Sequence, residues 1–233
     1  MKNIVVLTGA GISAESGLKT FRDSDGLWEG YDIEEVATPQ AWQRNPQLVQ
    51  DFYNMRRKAV LEAKPNAAHY ALARLEEKYK VTIITQNIDD LHQASGVASD
   101  HVIELHGNTT YARCIGCGQA YPLDWVKRRF YEEGAAPSCT VCDEPVKTAT
   151  ISFGQMMPED EMQRATALSQ DCDLFIAIGS SLVVWPAAGF PMMAKESGAR
   201  LVIVNREPTE QDDIADLVIR HDIGETLGPF VGN

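Results

Sequence analysis

The stretch that most constrains the fold is NIVVLT, Asn3 to Thr8, running directly into Gly9, Gly11 and Ala14 as G-x-G-x-x-A. A strand with no polar face must be covered on both sides, which is the position of a central strand in a parallel sheet. Four further runs share the pattern: VTIITQ (81–86), DLFIAIG (173–179), RLVIVN (200–205) and the weaker DLVIR (216–220). Each ends in glycine or a polar residue, as strands do where their carboxyl ends meet a ligand. Helical patterns lie between them. PNAAHYALARLEEKY places Ala68, Ala71, Leu72 and Leu75 on one face after a proline. PEDEMQRATALSQ begins with acids, which suit the positive end of a helix dipole. WPAAGFPMMAKESGA reads as a helix ended by Gly198. This alternation predicts an α/β fold built on a Rossmann-like doubly wound parallel sheet.

Two stretches break the rhythm. Residues from about 30 to 65 read as helices with no strand partner, and 111–147 hold four of the five cysteines. The expected division is a dinucleotide-binding domain from 1–29, 81–110 and 148–233, a helical insertion at 30–80 and a zinc module at 111–147. Of the 233 residues, 44% are hydrophobic and 23% charged, an ordinary balance for a packed core. The formal net charge of −12 argues against a nucleic-acid partner, which calls for a basic surface. The apolar run at the N-terminus is too short for a signal peptide, and none approaches the roughly 18 residues of a membrane span. The expectation is a cytoplasmic protein with no membrane partner, in which disulfides are disfavoured.

The chemistry-bearing residues fall at the strand ends. Gly9 permits a tight turn and Gly11 lets backbone approach a pyrophosphate; the alternative is a plain strand-to-helix turn. QNIDDLH gathers Gln86, Asn87, Asp89 and His92 after the second run. An amide with a carboxylate suits a carboxamide such as nicotinamide, yet Asn87 or Asp89 could equally cap the next helix. His106, in VIELHGN, is a candidate general base, against a structural histidine as the alternative. His69 reads as mid-helix and His101 as the start of a strand; neither they nor His221 is assigned chemistry. Gly179, Ser180 and Ser181 could donate to phosphate or ribose, and Asn205 and Glu207 could face the adenosine ribose; both stretches also read as ordinary turns. Cys114 and Cys117 form C-x2-C, and Cys139 and Cys142 form another after 21 intervening residues. Two such knuckles hold zinc tetrahedrally, and a closed four-thiolate shell makes that zinc structural; a redox pair is the alternative. Cys172 reads as a small apolar residue.

In this order GAGISAESG…FR, QNIDDLH, HG, the cysteine knuckles, FG, GSSLVVWP and VN resemble the sirtuin family of NAD-dependent protein-lysine deacylases, along nearly the whole chain. The resemblance implies that the stretch through FRDSDGLW covers the nicotinamide end of NAD, with Phe21, Arg22 and Trp28 among its contacts. It adds Ala10, Ser13, Ile88 and Ile223 to the cofactor residues. It implies that the acyl-lysine oxygen attacks the ribose as nicotinamide leaves. Asn87 and Asp89 then orient carboxamide and ribose, and His106 deprotonates a ribose hydroxyl; the products are free lysine and O-acyl-ADP-ribose. Acylated lysines of protein substrates would lie as an added strand between Phe153–Gly154 and Val183, Val184 and Trp185. Gln155 stands where many family members have Glu.

Tyr53 and Arg56 lie three residues apart in DFYNMRRKAV. By spacing alone they suit a surface helix. Tyr-x-x-Arg also resembles the bacterial sirtuin subgroup that removes succinyl and malonyl groups, since a phenol and a guanidinium can grip a carboxylate. The expected activity therefore covers acetyl and succinyl or malonyl lysine. An ADP-ribosyltransferase or NAD glycohydrolase, and a non-catalytic NAD sensor, are the competing readings. His106 and the acyl-pocket pair speak against them.

Overall fold

The computed structural model describes residues 2–20, 31–133 and 137–230. Among these are nine strands: β1 (Asn3–Thr8), β2 (Lys80–Thr85), β3 (Val102–Glu104), β4 (Gly107–Cys114), β5 (Ala120–Pro122), β6 (Val146–Thr150), β7 (Leu174–Ile178), β8 (Arg200–Val204) and β9 (Leu217–Ile219). Six form a parallel sheet in the order β3-β2-β1-β7-β8-β9. The chain winds outward from β1 in one direction and from β7 in the other. The sheet is thus doubly wound, as expected, with its switch point between β1 and β7.

β1 shows why its sequence has no polar face. Val5 and Leu7 enter a core with Ile84, Phe175, Phe190 and Leu201. Ile4 and Val6 enter a second core with Leu72, Ile83 and Val204 on the opposite side. Helix Ala67–Leu75 covers the second core; Ala68, Ala71 and Leu72 are buried, and Leu75 packs against them partly buried. The first core takes Ala165 of helix Glu159–Gln170 and Phe190 and Ala194 of helix Gly189–Glu196. That last helix begins four residues later than the apolar pattern from Trp185 suggests. Pro186 pushes its neighbour out of helical geometry, whereas Pro191 falls in the first turn, where no N–H is needed. Gly198, at φ 97, ends it as expected.

The remaining strands make a separate antiparallel sheet, β5-β4-β6, beside helix Leu123–Glu133. The link from β3 to β4 is only Leu105 and His106, so His106 lies where the parallel sheet hands over to the antiparallel one. Helices Ile33–Val36, Pro39–Arg44 and Pro46–Glu62 contain no strand, as their sequence suggests. Thr38 and Asn45 cap the last two through bonds from Ala41 N and Leu48 N, each with proline at the following position. Their common core is Val36, Ala37 and Phe52. No helix of the described residues is long and apolar enough to cross a membrane.

Candidate functional site

Three loops meet at the switch point. Gly9 N donates to Ile178 O at 3.1 Å and Gly11 N to Gly179 O at 2.9 Å. A Cβ on Gly9 would lie 2.7 Å from Gly179 O, and one on Gly179, at φ +62, would lie 2.4 Å from Ile12 N. Glycine is required at these positions for the loops to touch. The turn after Gly9, Ala10–Ser16, is a 3-10 helix that contains Ala10 and Ser13 and has no side-chain acceptor at its N-cap.

The 86–89 segment joins these loops. Gln86 Nε2 donates to Ser180 Oγ at 3.0 Å. Asn87 Nδ2 donates to Gly9 O and to Ser13 Oγ, both at 3.1 Å. Ser13 donates in turn to Asp89 Oδ2 at 2.7 Å. Asp89 is buried, and burial pushes its carboxyl upward while the Ser13 bond works in the opposite sense. Its other oxygen accepts from Leu91 N at 3.1 Å, but the N-cap of that helix is Asp90, so Asp89 is not the cap that the alternative reading expected. Asn87 makes no such cap.

His106 is fixed by its backbone neighbours. Its Nδ1 lies 2.9 Å from the Gln86 carbonyl, which can only accept, so Nδ1 carries the proton and Nε2 is bare. Burial holds this imidazole below its ordinary pKa, partly offset by the Gln86 bond. At neutral pH it is an uncharged base. The two segments around it are tied together: Leu105 N donates to Thr85 O and Thr109 N to Ile88 O, each at 3.0 Å.

His92 does not join this cluster, a correction to the sequence reading. It is 1% exposed beneath the strand ends, with Nε2 2.9 Å from Thr8 Oγ1. It packs on His69, ring centroids 5.0 Å apart. His69 is not mid-helix: it completes a capping box with Asn66 in the first turn. His101 ends a 3-10 turn rather than opening β3. The reading of His69 fails because the helix starts at Ala67, later than an apolar periodicity read from Pro65 suggests.

Further along the cleft, Ser180 is buried and Ser181 half-buried beyond Gly179. Asn205 Nδ2 donates to Glu207 O at 2.8 Å, closing the turn that the alternative reading expected, and Glu207 is exposed. Ile223 packs with Ile12, Ile178 and Val204 beneath the glycine loop. Phe153 N donates to Ala37 O at 3.0 Å, pinning this segment to the helical insertion, and Gly154 adopts φ 79. Phe153 is 51%, Val183 37%, Val184 42% and Trp185 66% exposed, an apolar set open to a partner. Tyr53 is half-buried, its ring 5.4 Å from Phe52, and Arg56 follows three positions later in helix Pro46–Glu62. Phe21, Arg22 and Trp28 lie outside the described residues.

In the antiparallel sheet the sulfur atoms of Cys114, Cys117, Cys139 and Cys142 all lie within 4.8 Å of one another. The Cys114–Cys142 and Cys117–Cys139 separations are 3.4 and 3.6 Å. Thiolates about 2.3 Å from a tetrahedral zinc lie roughly 3.8 Å apart, so the donor set fits that ion. Four protein ligands leave no position for a substrate, which makes the site structural. Cys172 is half-buried and bonded to Ser169 O, away from the cluster.

The fold and site together define an α/β nucleotide-binding enzyme with a separate four-thiolate module. The Sir2 family model matches residues 9–186. A relative from Bradyrhizobium diazoefficiens, an NAD-dependent protein deacetylase, is 67% identical over 241 residues, covering 100% of this chain and 91% of that one. A solved Sir2 homologue in complex with NAD aligns at TM-score 0.87 and 38% identity, covering 99% of this chain and 88% of its own. A solved Sir2 complex with a p53 peptide and NAD aligns at TM-score 0.84 and 38% identity, covering 96% and 90%. The chain belongs to the Sir2 family.

Proposed function

We propose that this chain is an NAD-dependent protein-lysine deacylase in which His106 is the general base, and that it accepts succinyl and malonyl as well as acetyl lysine. The coarser part follows from family membership: this is an NAD-dependent protein deacylase. The observation that carries the role of His106 is its Nδ1, held by the Gln86 carbonyl next to the cluster of Asn87, Asp89 and Ser13.

The residues present fit NAD. Glycine loops flank the switch point of a doubly wound sheet, where nucleotides bind. Gly9, Ala10 and Gly11 would face the pyrophosphate; Gly179, Ser180, Ser181, Asn205, Glu207 and Ile223 the adenosine half; Ser13, Gln86, Asn87, Ile88 and Asp89 the nicotinamide half, closed by Phe21, Arg22 and Trp28. When bound, NAD supplies an electrophilic ribose carbon with nicotinamide as leaving group. Asn87 spends its N–H groups on Gly9 and Ser13, which leaves Oδ1 to accept from a carboxamide. Asp89, steadied from both sides, would orient hydroxyls. His106 Nε2, neutral at physiological pH, takes the proton. Acylated lysines of protein substrates, in the cytoplasm, would lie along Phe153, Gly154, Val183, Val184 and Trp185, and their exposed apolar surface supports that role.

Tyr53 and Arg56 would meet the far end of the acyl group. The test is kcat/KM for matched acetyl- and succinyl-lysine peptides with NAD, for wild type and the Tyr53→Phe/Arg56→Met double variant. We expect succinyl turnover to fall about 100-fold, the worth of a charge-assisted pair of roughly 3 kcal/mol, with acetyl turnover kept. Equal losses on both peptides would make the pair structural.

A further inference from the structure

Asn108 lies two residues beyond His106 and is 2% exposed. Every hydrogen-bonding capacity of its amide is used. Nδ2 donates to Asp90 Oδ1 at 3.0 Å and to Glu104 Oε1 at 2.7 Å. Oδ1 accepts from Thr110 N and from Thr110 Oγ1, both at 2.7 Å. Gln93 Nε2 reaches the same Glu104 oxygen at 2.7 Å. One amide therefore joins the stretch that carries Asp89 to the stretch that carries His106. Its partner Asp90 holds φ 65, a left-handed conformation that Asp tolerates better than most side chains. That turn sets the direction of Asp89, whose Oδ1 accepts from Leu91 N just beyond it and whose Oδ2 meets Ser13.

We propose that Asn108 is a positioning residue for the reaction: by bridging Asp90 and Glu104 it fixes Asp89 and His106 relative to each other. The assignment of reaction rests on the deacylase reading above; the bridge itself does not. A Ser or Ala at this position would leave two carboxylates facing each other without the shared donor. An Asp would add a third carboxylate. Neither would touch the glycine loops, so cofactor affinity and turnover should separate. Misplacement of a reacting group by about an ångström costs on the order of 100-fold in rate.

The test compares wild type with Asn108→Ala, Asp90→Gly and Asp90→Asn. Gly keeps the left-handed turn but removes the acceptor; Asn keeps both. The readouts are kcat on acyl-lysine peptide, Kd for ADP-ribose, and the His106 tautomer by imidazole nitrogen NMR, assigned with a His106 variant. We expect Asn108→Ala and Asp90→Gly to lose about 10- to 100-fold in kcat with little change in ADP-ribose Kd. Both should also mix the Nδ1–H and Nε2–H tautomers. Asp90→Asn should restore the single Nδ1–H tautomer and most of the rate. If Asn108→Ala or Asp90→Gly keeps both the wild-type kcat and the single tautomer, whatever its Tm, the proposal is overturned. If wild type turns over no acyl peptide but the tautomer contrast is present, the deacylase reading fails and the bridge stands.

Discussion

Asp89 and His106 are held in place by small neighbours. A hydroxyl and a backbone N–H hold the carboxylate, and a backbone carbonyl holds the imidazole. Below them, His69 and His92 form a buried pair with a different consequence. Burial lowers His69 to about 4, and burial with the neighbouring His69 lowers His92 to about 3. The folded chain therefore resists protonation that the unfolded chain accepts below its ordinary value of about 6.5. Stability is fully present above that value and falls as pH drops toward the folded values, by up to about 1.4 kcal/mol per pH unit for each ring. Thermal unfolding between pH 7 and 4.5 should show this decline, and His92→Gln should flatten it; a Tm independent of pH over that window would contradict the pair's role. The sequence displayed all five histidines but not their depth. The place of His106 beside a strand end was legible because a glycine follows it. His92 was misread because QNIDDLH runs from cleft to core within seven residues, and a motif carries no record of where the chain dives. Asn108 and Asp90 went unread because an Asn beside a glycine is ordinary turn chemistry until its partners are seen.

Among the elements, the antiparallel sheet depends most on something other than its own packing. Among the described residues its core holds six buried ones, two of them the cysteines Cys114 and Cys139. Tyr121 stacks on Trp125 at 4.4 Å and places its hydroxyl 3.1 Å from Cys139 Sγ, an outer-shell contact to a metal ligand. Structural zinc contributes on the order of 10 kcal/mol in small modules, more than such a core can supply. Removing it with a chelator should shift Trp125 emission and loosen this sheet while the parallel sheet keeps its far-ultraviolet signature. A preparation that contains no metal and shows no change on chelation would contradict the site. The parallel strands were legible from their double-sided burial. Helix Leu123–Glu133 was not, because polar and charged residues and the flanking knuckles masked the apolar spacing of Leu123 and Val126.

For the whole molecule, the decisive arrangement is where the two sheets join. Leu105 and His106 are the only residues between β3 and β4, and the His106 carbonyl accepts from Ile151 N at 2.9 Å on the chain's return. His106 thus stands at the seam, and Phe153, Val183, Val184 and Trp185 are exposed apolar residues. A doubly wound parallel sheet and the glycine loops could be anticipated because local sequence dictates strands and turns. The seam could not, because it depends on which distant segments pair. The most direct test of the account is product analysis by mass spectrometry of acetyl- and succinyl-lysine peptides incubated with NAD and wild type or His106→Tyr. The account predicts that wild type forms nicotinamide, free-lysine peptide and O-acyl-ADP-ribose in equal amounts. His106→Tyr should stay folded and lose about two to four orders of magnitude in rate. Undiminished deacylation by His106→Tyr, or NAD cleavage by wild type without loss of the acyl group, would contradict it.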